Sequence, residues 1–406
     1  MRGTEAMVKA KHEIKRVGIV GGGTMGSGLA RYFLGAGLAV TLIEADENLA
    51  GKVEQKIRKA YANDLKKQQR PKDSPPDLRV SSEVRHLEAS DLVIEAVPED
   101  LDLKRSVLRA IEATLDDDAV MGSNTSSLPV SALAACLARP SRFLGTHFFN
   151  PAQVMPLVEV VPGLDTDPGV AIKMMDFLSS TGKKPVLLKE CPGFLVNRIL
   201  GAYMNEVMWV LQDTAGIQDV ETSAKELGMP MGPATLGDMV GWDVIHASNR
   251  ILAQYYGGRF SLPPLLVKLV DSKRYGIKTG KGFFDHSSDS PVVTDDLAPI
   301  SRAAGRDIIE SVKERLLLAI IAESLRCLEE RVATPDSLDM AMVTGAGFAK
   351  GPLAWADELG LESVLDRLQG FSAKLGRRFW PSPILQIHVL AGFTGKEAGR
   401  GLKGFY

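Results

Sequence analysis

The chain begins with short apolar runs separated by longer stretches of helical periodicity. Residues 16–20 form a β-branched run that ends in Gly21-Gly22-Gly23. A helical pattern covers 25–36 and stops at Gly37. A second apolar run, 40–43, is closed by Glu44, and a polar, lysine-rich helical pattern follows over 47–67. Residues 68–77 read as a proline-containing loop. Strand runs then occur at 91–97, 119–123, 143–149, 157–161 and 185–189. Helices at 101–115, 130–137 and 168–181 separate them. Strands alternating with helices predict a mostly parallel sheet covered on both faces.

Past Cys191-Pro192-Gly193 the strand signals vanish and long apolar-periodic helices take over, which puts a domain boundary near residue 192. The polar, turn-rich segment 285–296 reads as a linker. A repeat spans it. Gly232-Pro233-Ala234-Thr235-Leu236-Gly237-Asp238 through Gly241 resembles Gly351-Pro352-Leu353-Ala354-Trp355-Ala356-Asp357 through Gly360, at an offset of 119. Phe260 and Pro264 recur as Phe379 and Pro383. Lys281-Gly282-Phe283-Phe284 matches Lys403-Gly404-Phe405-Tyr406, here at an offset of 122. One helical unit of about 100 residues is thus expected to occur twice.

Charge changes the picture by exclusion. The 406 residues carry 48 Lys plus Arg against 50 Asp plus Glu, which argues against a broad nucleic-acid footprint or a membrane-surface protein. The longest uncharged stretch, 119–138, holds Asn124, Thr125 and Pro129 among several serines and is too polar to span a membrane. Three cysteines without a CxxC exclude a disulfide framework and a cysteine zinc site, and no other cluster suggests a metal. Residues 1–16 lack the apolar core of a signal peptide and read as a short lead-in. With reduced cysteines, this predicts a cytoplasmic location.

The glycine run carries the first chemistry. Gly21, Gly23 and Gly26 satisfy GxGxxG between a strand and a helix, and the next strand ends in Glu44. Gly21 permits the tight turn, Gly23 lets backbone N–H groups approach a pyrophosphate, and Gly26 permits close helix packing. A carboxylate at Glu44 binds a ribose diol and repels a 2′-phosphate, so NAD is expected rather than NADP. Met25, inside the loop, is expected beside the cofactor. The predicted fold is an α/β Rossmann-type doubly wound sheet over 12–192, followed by two all-α domains. The first helical unit covers 193–290 and the second, non-catalytic repeat 291–406.

His147 ends an apolar strand run, at the end of the sheet where such folds bind ligands. A neutral imidazole there can take a proton from a secondary alcohol as hydride leaves the same carbon. Glu159 lies inside the next apolar run, where a carboxylate is costly unless paired; His147 would satisfy it, or else Glu159 faces solvent and His147 merely caps a loop. Asn124-Thr125-Ser126-Ser127 follows another strand end; a hydroxyl there can hydrogen-bond a substrate oxygen, or the segment can be plain turn chemistry. Asn197 sits early in the first helix after the boundary.

In order, GGGTMG, DLVIEAVPE, SNTSSL, THFFNP, LVEVVPG and PGFLVNR resemble the L-3-hydroxyacyl-CoA dehydrogenase family, over about residues 14–285. The duplicated tail resembles the dehydrogenase portion of multifunctional fatty-acid β-oxidation enzymes. No hydratase domain is expected before it, because the glycine loop starts at Gly21. The resemblance implies oxidation of an L-3-hydroxyacyl-CoA by NAD, with His147 as general acid/base and Glu159 as its partner. It implies that Ser126 and Asn197 hydrogen-bond the substrate. Asn124 and Glu99 fall on the cofactor side, with Glu99 near the nicotinamide. Lys67 falls where the family places a CoA-contacting lysine, although Lys56, Lys59, Lys66 and Lys67 also read as a solvated helix face. The second repeat has Lys313-Glu314-Arg315-Leu316 around the position equivalent to Asn197 and no glycine loop of its own. It is expected to imitate, within one chain, the partner subunit of two-domain relatives. The expected partners are an acyl-CoA substrate and, as candidates, a separate hydratase or thiolase. Two other readings stay open: a dehydrogenase of a non-CoA hydroxy or sugar acid, and a non-catalytic cofactor-binding structural protein.

Overall fold

The structure, a computed structural model, describes residues 13–67, 77–213, 215–288, 292–293 and 306–403. Most of the predicted lead-in, all but the last residue of the 68–77 loop, and Gly404-Phe405-Tyr406 lie outside these residues. So does much of the predicted 285–296 linker. The chain divides into two compact units, at Pro185 and Val186.

The first unit is built on an eight-stranded sheet. Its strands are β1 (Arg16–Val20), β2 (Ala39–Ile43), β3 (Leu78–Ser81), β4 (Leu92–Glu95), β5 (Val120–Ser123), β6 (Phe143–Phe148), β7 (Leu157–Pro162) and β8 (Lys184–Leu187). Their order is β3-β2-β1-β4-β5-β6-β7-β8. Strands β1 to β6 pair in parallel, and the order reverses direction between β1 and β4. That reversal makes the carboxyl ends of β1 and β4 the place where such sheets bind ligands. The strands are apolar on both faces because helices cover both. Ile19, Leu42, Ile94, Val120 and Leu144 are buried with Leu29 and Phe33 of α1 (Thr24–Gly35). The other helices of this unit are α2 (Glu47–Lys67), α3 (Leu101–Glu112), α4 (Val130–Ala134) and α5 (Pro168–Ser180).

One feature of the sheet departs from the sequence reading. Strand β3 was not signalled at all: four residues, LRVS, are too few to show a period. The sheet is mostly parallel, as expected, with β6 and β7 paired antiparallel.

The second unit is helical. It holds α6 (Val196–Asp213), α7 (Ile217–Glu226), α8 (Pro233–Val240), α9 (Trp242–Tyr256) and α10 (Pro264–Asp271). It continues with α11 (Arg306–Glu329), α12 (Pro335–Gly345), α13 (Pro352–Leu359), α14 (Leu361–Leu375) and α15 (Pro383–Leu390). The second five repeat the first five in order and nearly in length, with α11 longer than α6 and α12 one residue longer than α7. Residues 284–285 and 292–293 pair as a small antiparallel hairpin, so strand structure does occur in the segment read as a linker; Val292-Val293 supplies the β-branched arm.

One carboxylate in each copy fixes the register of the repeat. Asp238 accepts the backbone N–H groups of Phe283 and Phe284, each at 2.9 Å. Asp357 accepts those of Leu402 and Lys403. A Cβ on Gly282 would lie 2.0 Å from the Asp238 carboxylate, and one on Gly401 2.3 Å from that of Asp357. Gly401 is therefore the counterpart of Gly282, and the offset stays at 119 to the end of the described chain. The match to Lys403 at an offset of 122 was a coincidence of Gly-Phe composition.

The two copies also meet through reciprocal ion pairs. Arg198 donates from Nε to Glu323 at 2.7 Å and from Nη1 to Glu330 at 2.6 Å. Its counterpart Arg315 donates from Nε to Glu206 and from Nη2 to Asp213. Arg315, Glu323 and Glu330 of the second copy each lie 117 positions after Arg198, Glu206 and Asp213 of the first. Residue i of one copy thus meets j of the other while the counterpart of j meets the counterpart of i, the signature of a two-fold contact.

Candidate active site

The glycine loop leaves the end of β1. Gly21 has φ +102°, and a Cβ there would lie 2.8 Å from the Ala96 carbonyl oxygen. A Cβ on Gly26 would stand 1.8 Å from the Gly21 carbonyl oxygen, so only glycine lets α1 start this close to the loop. Gly23 caps α1, and a Cβ on it would meet nothing within 4 Å. The space beside Gly23 is therefore open, at the start of a helix whose N-terminus offers N–H groups to an anion. Glu44 ends the next strand with Oε2 accepting from Gly22 N–H at 2.7 Å and Oε1 from Ala45 N–H at 2.7 Å. Met25 packs, half-buried, against the hydrophobic core below the loop. Loop, helix start and carboxylate fit a dinucleotide whose ribose diol reaches Glu44.

Antiparallel β6 and β7 place His147 directly opposite Glu159. Nδ1 of His147 lies 2.6 Å from Glu159 Oε2, with Glu159 fully buried and the Phe149 ring 4.5 Å from the imidazole. A buried carboxylate on Nδ1 selects the Nδ1–H tautomer and leaves the lone pair on Nε2. Next to this pair, Asn124 Oδ1 accepts the Phe148 N–H at 2.9 Å, tying the end of β5 to the histidine strand.

The segment after Asn124 is organised by Glu99. Its Oε1 accepts from Thr125 Oγ1 at 2.6 Å, from Ser126 N–H at 2.9 Å, and from Ser127 N–H and Oγ at 3.0 Å. Buried Lys104 reaches Glu99 at 3.3 Å and Glu95 at 2.7 Å, and Ser123 donates to Glu95 at 2.5 Å. Burial pushes the Glu99 carboxyl up, but Lys104 and the donors of Thr125, Ser126 and Ser127 outweigh it and hold it below the usual carboxylate range. Ser126 thus sits on a loop tied down by charge. Glu95, Lys104 and Ser123 belong to this network and were not found from sequence. Glu95 could have been, as a carboxylate closing an apolar strand run.

Asn197 lies in the first turn of α6 in the second unit, partly buried. In the second copy Glu314 takes its place, paired with Arg367 at 3.0 Å. The side chain of Lys67 lies outside the described residues. No cluster of three His, Cys, Asp or Glu able to hold a metal occurs among the described residues. No helix among them is long and apolar enough to cross a membrane.

The comparison with known proteins decides the family. Residues 16–191 match the 3-hydroxyacyl-CoA dehydrogenase NAD binding domain, and 193–286 and 312–404 each match the 3-hydroxyacyl-CoA dehydrogenase C-terminal domain. The chain belongs to the 3-hydroxyacyl-CoA dehydrogenase family. It has one copy of the family's NAD binding domain and two copies of its helical domain. It is 36% identical over 329 residues to the fatty acid oxidation complex subunit alpha of Shewanella amazonensis, covering 78% of this chain and 46% of that protein. The chain spans about half the length of the curated relatives it matches. The crystal structure of 3-hydroxybutyryl-CoA dehydrogenase from Escherichia coli K12 is similar at TM-score 0.84 and 26% identity, covering 93% of this chain and 99% of that one. The (S)-3-hydroxybutyryl-CoA dehydrogenase of Ralstonia eutropha is 33% identical with a TM-score of 0.65, covering 68% of this chain and all of that one.

Proposed function

We propose that the protein interconverts an L-3-hydroxyacyl-CoA and the corresponding 3-ketoacyl-CoA, with His147 as general base and acid. The single observation that carries this reading is the buried His147–Glu159 pair at 2.6 Å, at the carboxyl edge of a sheet that also carries a dinucleotide loop. NAD, when bound, supplies the hydride acceptor. Gly21, Gly23, Met25, Gly26 and Glu44 hold it, and Asn124 and Glu99 shape the nicotinamide end. His147 takes the 3-hydroxyl proton at Nε2 while Glu159 stabilises the resulting imidazolium. Ser126, on the loop fixed by Glu99, hydrogen-bonds the reacting oxygen. Asn197 supplies an amide to the acyl group and Lys67 a cation to the CoA moiety, as the family resemblance implies. The relatives' name, as a subunit of a fatty acid oxidation complex, supports a role in fatty-acid breakdown. Docking to a separate hydratase or thiolase belongs to the same proposal.

The test is NADH consumption with acetoacetyl-CoA, extended to longer 3-ketoacyl-CoA thioesters. Saturable turnover is expected. Turnover of a free hydroxy or sugar acid with none of any CoA thioester would replace the substrate assignment, and no turnover of either would remove the enzyme reading. The second helical copy takes the place of a partner subunit within one chain, so sedimentation at the mass of a single chain is expected. An obligate dimer formed through α6 would contradict it.

A further inference from the structure

The hairpin that carries the histidine pair has a buried lysine under its connection. Strands β6 and β7 are joined by residues 149–156. In that connection Pro151 already accepts from Val154 and Met155, but the Ala152 and Met155 carbonyl oxygens take no backbone N–H among the described residues. Lys183, just before β8, donates from Nζ to both, at 2.6 Å each. The same nitrogen lies 4.1 Å over the ring of Tyr32, on α1. Tyr32 is in turn anchored by its hydroxyl to Thr181 Oγ1 at 2.6 Å. The three ammonium N–H groups therefore have two carbonyls and one aromatic face. Among the described residues no carboxylate lies within ion-pair distance of Nζ. Burial pulls the ammonium down to about 8, and the Tyr32 hydroxyl is pushed up to about 12.

A lysine buried without a counterion is a costly way to fill space. An apolar residue would fill it at lower cost but would leave two loop carbonyls unpaired in the interior. The lysine joins parts that the reaction must align. Ala152 and Gln153 pack on Gly28 of α1, the helix that starts at the nucleotide loop; a Cβ there would lie 3.2 Å from Gln153 Oε1 and 3.3 Å from Ala152 Cβ. On its other side the connection runs straight into the strands bearing His147 and Glu159. We infer that Lys183 is a positioning residue for the dehydrogenase reaction, locking the β6–β7 connection onto α1 so that the imidazole and the cofactor helix keep one relative placement. This rests on the dehydrogenase reading above. It concerns alignment in the transition state, not cofactor affinity.

The test is steady-state kinetics with acetoacetyl-CoA and NADH on wild type, Lys183→Met and Lys183→Arg. Misplacement of a reacting group by about 1 Å can cost up to ~100-fold in rate, so Lys183→Met should lose between about 10- and 100-fold in kcat. Its KM for NADH should stay within about twofold, and Lys183→Arg, which keeps the donors, should recover most of the rate. A Lys183→Met enzyme with kcat within twofold of wild type overturns the inference, as does an equal loss in the arginine variant. If Lys183→Met does not fold, Tyr32→Leu removes the aromatic face and leaves both carbonyl bonds. A lowered kcat at unchanged KM then supports the inference, and an unchanged kcat overturns it. Failure of the underlying reading looks different, because wild type itself would be inactive.

Discussion

His147→Gln is expected to lower kcat by about 10²–10⁴-fold while NADH binding stays unchanged. The range is the usual contribution of a positioned general acid or base. Glutamine keeps a polar group of similar size on β6 and can still donate to Glu159, so the hairpin and the glycine loop have no reason to shift. What it cannot do is accept a proton at Nε2 and hold it as a cation beside a buried carboxylate. The loss should therefore fall on kcat. NADH affinity, read from the cofactor's fluorescence on titration, should match wild type. Turnover within threefold of wild type would remove His147 from the role. Loss of NADH binding together with turnover would mean that the substitution had disturbed the sheet.

The contact between His147 and Glu159 was one of two readings the sequence offered, and the strand geometry that makes it was not legible. A carboxylate at Glu159 in an apolar run either needs a partner, such as His147 at a strand end, or faces solvent. That the two face each other follows from antiparallel pairing of β6 and β7, set by an eight-residue connection whose path depends on Lys183 and α1. Non-local contacts of that kind leave no periodic trace. The glycine loop was legible because each glycine answers a steric demand within a few residues. The Glu95–Lys104–Glu99 network was not, because its members sit on a strand, a helix and a loop, with no pattern that pairs them. In the helical unit, matching motifs revealed the duplication, but similar composition misplaced its last segment by three residues. Only the Asp238 and Asp357 hydrogen bonds fix that register.

The largest loss of stability is expected from Glu323→Ala, at about 3–5 kcal/mol, the usual cost of stranding one partner of a buried ion pair. Glu323 is buried, accepts from Arg198 Nε at 2.7 Å and Arg326 Nη1 at 3.0 Å, and has Arg259 at 3.8 Å. Arg198 is fully buried and, among the described residues, would keep Glu330 as its one carboxylate partner, with the Tyr256 ring 4.3 Å from its guanidinium. The mirror variant, Glu206→Ala, strands Arg315 and Arg378 in the counterpart arrangement and should cost a similar amount. Denaturant unfolding of each variant measures the loss, with NADH binding as the check that the first unit is intact. Arg198→Leu combined with Glu323→Leu separates a stranded charge from lost packing. If the stranded guanidinium is the main cost, the double variant should recover a large part of the stability, because two apolar side chains need no counterion. A loss below about 1 kcal/mol in both single variants would mean that water reaches these arginines, and that the reciprocal pairs do not hold the two helical copies together.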